Sequence, residues 1–414
     1  MGKTRTGMIA ALDVGSTKIC CLIAHVHGDG AIRVVGVGHH ASKGVKSGAI
    51  VDLETARHSI LTAVSAAEQL AGERIRDVVV NISGGNLASH SFAVEIPLAG
   101  REVGESDLRR ALTQVSGYEQ SPDRELLHCI PVSYRLDATR GIRDPRGLYG
   151  EKLGIDLHLV TARAGTLRNL ANCVEHCHLD VEAAVAAPYA SGLACLVEDE
   201  TDLGVTLVDM GGGTTTVAVF YSGEVIHTDS IAVGGQHVTS DIARGLSTPL
   251  AHAERMKTLY GSALPSPSDE RELIDVPLVG EETHAQANHV PRSILVGIIR
   301  PRLEETFELV RSRLEMSGMD RIAGRRMVLT GGASQLNGVR ELAALILEKQ
   351  VRMGRPLKIG GLAESTSGPA FATCAGLLRY GVDKHLDARE RAEPVPAGVG
   401  GTFGRLGQWI RENF

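Results

Sequence analysis

One pair of matched turns limits what this chain can fold into more than any other feature. An apolar run at 8–12 ends in Asp13-Val14-Gly15-Ser16-Thr17-Lys18, and a second apolar run, 19–26, follows directly. Far along the chain the arrangement returns. Residues 205–208 lead into Asp209-Met210-Gly211-Gly212-Gly213-Thr214-Thr215-Thr216, then come 217–221, Ser222-Gly223 and 225–231. Short apolar runs joined by glycine turns read as strand–turn–strand hairpins. A supersecondary unit that recurs within one chain predicts two like-folded halves.

Each turn carries a chemistry of its own. A triphosphate needs backbone N–H donors close to its oxygens and a carboxylate near its metal. Glycine permits the close approach, and hydroxyls add donors. Asp13 with Gly15, Ser16, Thr17 and Lys18 supplies one cradle; Asp209 with Gly211, Gly212, Gly213, Thr214 and Thr215 supplies another. A carboxylate serving Mg²⁺ there would act through bound water, because Mg²⁺ dehydrates reluctantly. Taken singly, either turn is equally well a plain hairpin, since Asp and Gly favour turns anyway. Their repetition is what argues for a ligand.

Two more segments fit the same ligand. The run 327–330 is followed by Gly331-Gly332-Ala333-Ser334 and a helix expected over 338–348. Small residues there let a base and ribose lie against the backbone, although a ligand-free strand-to-helix turn reads the same way. On the helix expected at 251–260, Glu254 and Lys257 are three apart and share a face. They suit ribose hydroxyls and a base edge; the bland reading is a solvated ion pair.

The remaining pattern sets the organisation. A strand is expected at 32–38, a helix at 53–70 and a strand at 78–82, closed by Ser83-Gly84-Gly85. Residues 86–161 read as a small α/β insertion, with alternation at 91–96 and 130–136 and a helix near 106–115. The stretch 249–291, with Pro265, Pro267 and Pro277, reads as irregular, and 294–316 as a long helix that Pro301 kinks or turns. We expect lobes at 1–85 with 162–196 and at 197–240 with 318–385. A further subdomain is expected at 241–317, a linker at 386–401 and a terminal helix at 402–414.

Composition excludes several classes. A net charge of -6 and 3% aromatic residues argue against a nucleic-acid surface, which needs basic patches and stacking rings. The seven cysteines lack a disulfide-type spacing and fit a reducing compartment. Cys173, His176, Cys177 and His178 have no second ligand pair at matching spacing, so a zinc site is not expected. The sequence shows no signal peptide and no run near the roughly 20 apolar residues of a spanning helix.

The end of the chain offers a different membrane contact. Phe403, Leu406, Ile410 and Phe414 form one helical stripe with Trp409, the single tryptophan, at its edge; Arg405, Gln408, Arg411 and Glu412 take the other side. Such a helix lies in a membrane interface or docks on its own domain. The Pro/Gly-rich linker before it favours the first.

The motifs DVGSTK, DMGGGTT and LTGGASQLNG, in this order, resemble those of the actin, sugar-kinase and DnaK-type chaperone superfamily. Within it, the chain is similar over residues 8–414 to the FtsA family of bacterial cell division proteins. The likeness includes Ala253-Glu254-Arg255-Met256-Lys257, the segment 359–380 and the placement of the insertion at 86–161.

The resemblance implies an α/β actin-like (ribonuclease H-like) two-lobed fold. ATP and Mg²⁺ would be bound between the lobes, with Gly234 and Gly235 as a further turn near the phosphates. It also implies self-polymerisation, anchoring to anionic lipid, recruitment of other divisome membrane proteins, and binding of the C-terminal tail of FtsZ. The acidic tail would dock by Arg292, Arg300 and Arg302, whose plain reading is a solvated helix face. One departure bears on turnover. Where chaperones of this fold carry an acidic residue before a proline, this chain has Ala187 before Pro188, so hydrolysis is expected to be slow or undetectable. A small-molecule kinase or an MreB-like filament protein are the alternatives of the same fold.

Overall fold

The computed structural model describes residues 6–117, 122–280, 288–357 and 359–382. The expected linker at 386–401 and terminal helix at 402–414 lie outside the described residues.

Two five-stranded sheets share one strand order. In the first, strands Ile32–Ala41, Lys18–Val26, Gly7–Val14, Asp77–Ile82 and Asp180–Ala186 lie side by side. In the second the order is Glu224–Ile231, Thr215–Tyr221, Val205–Met210, Arg326–Thr330 and Gln350–Met353. Along each sheet two antiparallel pairings are followed by two parallel ones. The recurrence seen in two hairpins is thus a recurrence of whole sheets. The hairpin registers also correspond, with Asp13 opposite Cys20 and Asp209 opposite Thr216.

Strands Gly7–Val14 and Lys18–Val26 are apolar and buried for most of their length because helices Leu53–Ala71 and Ala372–Val382 pack on this sheet. Helix Leu53–Ala71 starts where Asp52 accepts the Thr55 N–H and stops at Gly72 in the left-handed region. It buries Ala56, Ile60, Ala63, Val64 and Ala67, spaced three and four apart, whereas Leu70 at its end is exposed.

The last described helix corrects the expected boundary of the second lobe. Of the expected span 318–385, the described residues 372–382 leave that lobe. Helix Ala372–Val382 packs on strands Gly7–Val14, Lys18–Val26 and Asp77–Ile82 and joins the first lobe's core. There it crosses helix Ala187–Cys195 so closely that a side chain at Gly376 would collide with the Ala190 carbonyl. An amphipathic pattern shows that a helix has a buried face, but not which lobe receives it.

Helix Arg292–Met316 runs through Pro301 without a break. Pro301 is exposed, and the residue four before it, whose carbonyl its ring crowds, is Gly297. Within 249–291 the expected helix forms as Leu250–Tyr260, and the part read as irregular holds a hairpin of Leu273–Val276 with Asn288–Pro291. Leu273-Ile274-Asp275-Val276 and Asn288-His289-Val290-Pro291 carry no polar–apolar alternation along the chain that would have marked them as strands.

The insertion is a four-stranded sheet in the order Ala88–Pro97, Lys152–Arg163, Arg124–Leu136, Thr139–Ile142, with helix Glu105–Thr113 and a core of its own. It is rooted in the first lobe but docks on the second lobe's edge strand. Ser89 Oγ accepts the Thr228 N–H at 2.7 Å and lies 2.7 Å from Thr228 O, while His158 Nδ1–H reaches Val225 O at 3.0 Å. All seven cysteines are buried free thiols, and burial pushes Cys173 up to about 11 and Cys177 up to about 12. Among the described residues no cluster able to hold a metal ion forms from three or more His, Cys, Asp or Glu side chains. None of their helices is long and apolar enough to cross a membrane.

Candidate functional site

Both glycine turns open onto one cleft of about 700 Å³ between the lobes. In the first turn Gly15 N–H donates to Lys18 O at 3.1 Å, which closes the hairpin. In the second, Gly211 N–H donates to Thr214 O at 2.8 Å. The turns meet each other. A side chain at Gly213 would strike Ser16 Oγ and Ser47 N, and one at Gly212 would strike Thr17. Only glycine permits this approach.

The cleft wall includes Asp13, Gly15, Ser16, Thr17 and Lys18 from the first turn and Asp209, Gly211, Gly212, Gly213 and Thr214 from the second. Gly234 and Gly235 join them, and the Gly235 N–H donates to Gly211 O at 3.0 Å. Gly331, Gly332 and Ala333 also line the cleft, as do Glu254 and Lys257. Lys257 Nζ donates to Glu254 Oε2 at 2.7 Å, to Thr239 Oγ1 at 2.8 Å and to Gly235 O at 3.1 Å. The pair is therefore tied to the phosphate-side turn and is not a loose surface bridge.

Two expected residues do not reach the cleft. Thr214 and Thr216 line it, but Thr215 alternates to the other face of its strand and donates to Val233 O at 2.8 Å. Ser334 is buried and spends its hydroxyl on Gly331 O at 2.7 Å.

The three arginines do not form one patch. Arg292 lines the cleft and is held by Tyr260 O at 2.7 Å and Asp269 Oδ1 at 2.7 Å. Arg300 pairs with Glu304 at 2.7 Å, and Arg302 pairs with Asp241 at 2.5 Å and with Glu305.

Asp13 and Asp209 are both nearly buried. Burial pushes Asp13 up to about 7; Lys18 offsets this in part, and the nearby Asp209 adds to it. Burial also raises Asp209, opposed by hydrogen bonds from Ser191 and Thr373. A site that lifts two carboxylates in this way favours a compensating cation. Sequence reasoning missed Asn81, whose Oδ1 accepts the Val14 N–H at 2.7 Å, and also Ser191 and Thr373. No motif spacing marks them: the fold brings Asn81 and Thr373 to the cleft from other segments, and Ser191 holds Asp209 from a buried helix.

Comparison with known proteins agrees with this arrangement. The family model described as Cell division protein FtsA matches residues 206–376, and that described as SHS2 domain inserted in FTSA matches 84–161. The Cell division protein FtsA of Rhizobium meliloti (strain 1021) is 45% identical over 422 residues, covering 99% of this chain and 96% of the relative. Among solved structures, the PilM-PilN type IV pilus biogenesis complex superposes with a TM-score of 0.63 at 17% identity, covering 93% of this chain and 99% of that one. MreB5 of Spiroplasma citri bound to ADP superposes with a TM-score of 0.56 at 13% identity, covering 94% and 99%. With its actin-like pair of sheets, its inserted subdomain and this likeness along nearly its whole length, the chain belongs to the FtsA family of cell division proteins.

Proposed function

We propose that this protein binds ATP with Mg²⁺, polymerises, and ties the FtsZ ring to the cytoplasmic face of the inner membrane at the division septum, where it helps recruit later divisome membrane proteins. The observation that carries the nucleotide reading is the meeting of two glycine turns, each with a buried aspartate, on one cleft. Gly212 and Gly213 let the two turns touch, since a Cβ on either would strike Thr17 or Ser16, and the hydroxyl-bearing Ser16, Thr17 and Thr214 line the same wall. Asp13 and Asp209 would hold the cation through water, and Mg²⁺ would supply positive charge against the phosphates.

Turnover is expected to be slow. The buried cleft residue before Pro188 is Ala187, which cannot orient water. A small-molecule kinase would need a further free carboxylate as base. Besides the two aspartates, the carboxylate on the cleft wall is Glu254, already bonded to Lys257 and Thr239. Membrane attachment is assigned to the stripe Phe403, Leu406, Trp409, Ile410 and Phe414. The FtsZ tail is assigned to Arg300 and Arg302, where it competes with Glu304, Glu305 and Asp241.

Two measurements test this reading. Calorimetry should find Mg·ATP binding in the parent and none in Asp209→Ala; unchanged affinity in the variant removes the cleft assignment. Truncation after residue 400 should release the protein from anionic vesicles and spare ATP binding. Equal pelleting of both chains would transfer the tail to a docked-helix role.

A further inference from the structure

Asp209 belongs to the second lobe, but the groups that hold its carboxylate come from outside that sheet. Its Oδ2 accepts the Ser191 O–H at 2.5 Å and the Thr373 O–H at 3.0 Å. Ser191 is fully buried in helix Ala187–Cys195. Thr373 sits at the start of helix Ala372–Val382, on the cleft wall. These are the two helices that cross at Gly376 and Ala190, so both hydroxyls ride on one tightly packed crossing. The hydroxyl oxygens are 2.9 Å apart. Each has a single proton, and when both donate to the carboxylate neither bonds the other.

The residues just before Thr373 touch the other turns. Pro369 O accepts the Gly331 N–H at 3.3 Å. Ala370 O accepts a hydrogen bond from Lys18 Nζ at 2.5 Å, and the same ammonium stands 3.4 Å from the centre of the Phe371 ring. One short segment, 369–373, thereby contacts the first turn through Lys18, the second through Asp209 and the third through Gly331. It lies in none of the three glycine motifs.

We infer that Thr373, backed by Ser191, is a positioning residue for the nucleotide's metal: the two hydroxyls fix Oδ2 of Asp209 against the helix crossing and leave Oδ1 for the hydrated cation. This rests on the Mg·ATP reading above. Oδ1 lies beside Gly331, where any side chain would collide with it, so glycine at this turn lets the carboxylate keep its place on the cleft wall. Two O–H donors on one oxygen hold a carboxylate more firmly than one, since hydrogen bonds to a charged group are stronger than those between neutral groups. A purely structural role, satisfying a buried carboxylate, would cost stability when lost but would not distinguish metal-loaded from metal-free nucleotide.

The test uses the full chain and the variants Thr373→Val, Thr373→Ser and Ser191→Ala, each checked for folding by thermal melting. ATP is titrated calorimetrically in Mg²⁺ and again in EDTA. Thr373→Val should weaken Mg·ATP binding about tenfold or more, change metal-free binding less than about twofold, and be restored by Thr373→Ser. Ser191→Ala should show the same split. Unchanged Mg·ATP affinity in both variants, or equal losses with and without Mg²⁺, overturns the inference while leaving the ATP site standing. Failure of the parent chain to bind Mg·ATP overturns both. If the variants do not fold, hydrogen exchange on the parent decides. Amides at 372–376 should be better protected with Mg·ATP than with ATP in EDTA, and equal protection overturns the inference.

Discussion

Asp13 stands in its strand with its carboxyl pushed up to about 7 by burial, against an ordinary value of 3.8. The folded chain therefore holds a proton that the unfolded chain releases across that window. Stability from this group falls as pH rises from about 4 to about 7, by roughly 4 kcal/mol at most. His158 works in the opposite sense. Burial lowers it from 6.5 to about 3, so its contribution rises with pH over that range. The two effects mask each other in the parent, and the difference between parent and Asp13→Asn isolates the first. Urea unfolding of nucleotide-free protein at pH 5 and pH 8 should show a clearly larger benefit from the Asp13→Asn substitution at the higher pH, where the whole penalty has built up. An equal difference at both would mean that Asp13 keeps its charge when buried. Adding Mg·ATP near neutral pH should release a proton, seen as a binding enthalpy that depends on the buffer's ionisation heat.

At the scale of elements, the insertion is joined to the first lobe by its chain ends and to the second by hydrogen bonds. Val225 O fixes the Nδ1–H tautomer of His158, so the Ser89 hydroxyl has two acceptors, His158 Nε2 at 2.8 Å and Thr228 O at 2.7 Å. Removing that hydroxyl leaves the buried Thr228 N–H, among others, without its partner. Ser89→Ala should cost about 1–3 kcal/mol and raise hydrogen exchange along strand Glu224–Ile231. Unaltered exchange there would show that apolar packing alone holds the insertion. The helix crossing is a second joint. Gly376→Ala should destabilise the fold by roughly 3 kcal/mol, because overpacking here meets backbone and not a side chain that can move. A melting temperature equal to the parent's would show that the crossing can open.

For the whole molecule, the proposed anchor is weak. Arg405 and Arg411 contribute about 1 kcal/mol each near an anionic surface, and Glu412 opposes them. Polymers carrying many such helices would bind by avidity. Vesicle co-sedimentation should therefore rise steeply with protein concentration, and Trp409→Glu should harm dilute protein more than polymerised protein. A parallel loss at all concentrations would remove avidity from the account. For the partner, Arg300→Glu should weaken an acidic FtsZ tail peptide several-fold in low salt, with the difference shrinking at high salt. It is a cleaner probe than Arg302, whose bonds to Asp241 and Glu305 also brace the helix.

The sequence by itself determined the repeated hairpins, the three glycine turns, the Glu254/Lys257 face and the place of the insertion, because each depends on spacing within a few residues. Even so, strand alternation removed Thr215 from the cleft, and a local bond to Gly331 removed Ser334. Tertiary structure decided where helix Ala372–Val382 goes, because an apolar face does not name the surface that covers it. Arg292 lies on the cleft wall, apart from Arg300 and Arg302, because Asp269 and Tyr260 hold it there from other segments. Thr373 reaches Asp209 across 164 residues of chain, and Ser191 reaches it from a helix 18 residues before. Contacts between residues so far apart in sequence leave no periodic trace, and only the packed lobes bring them within hydrogen-bond distance.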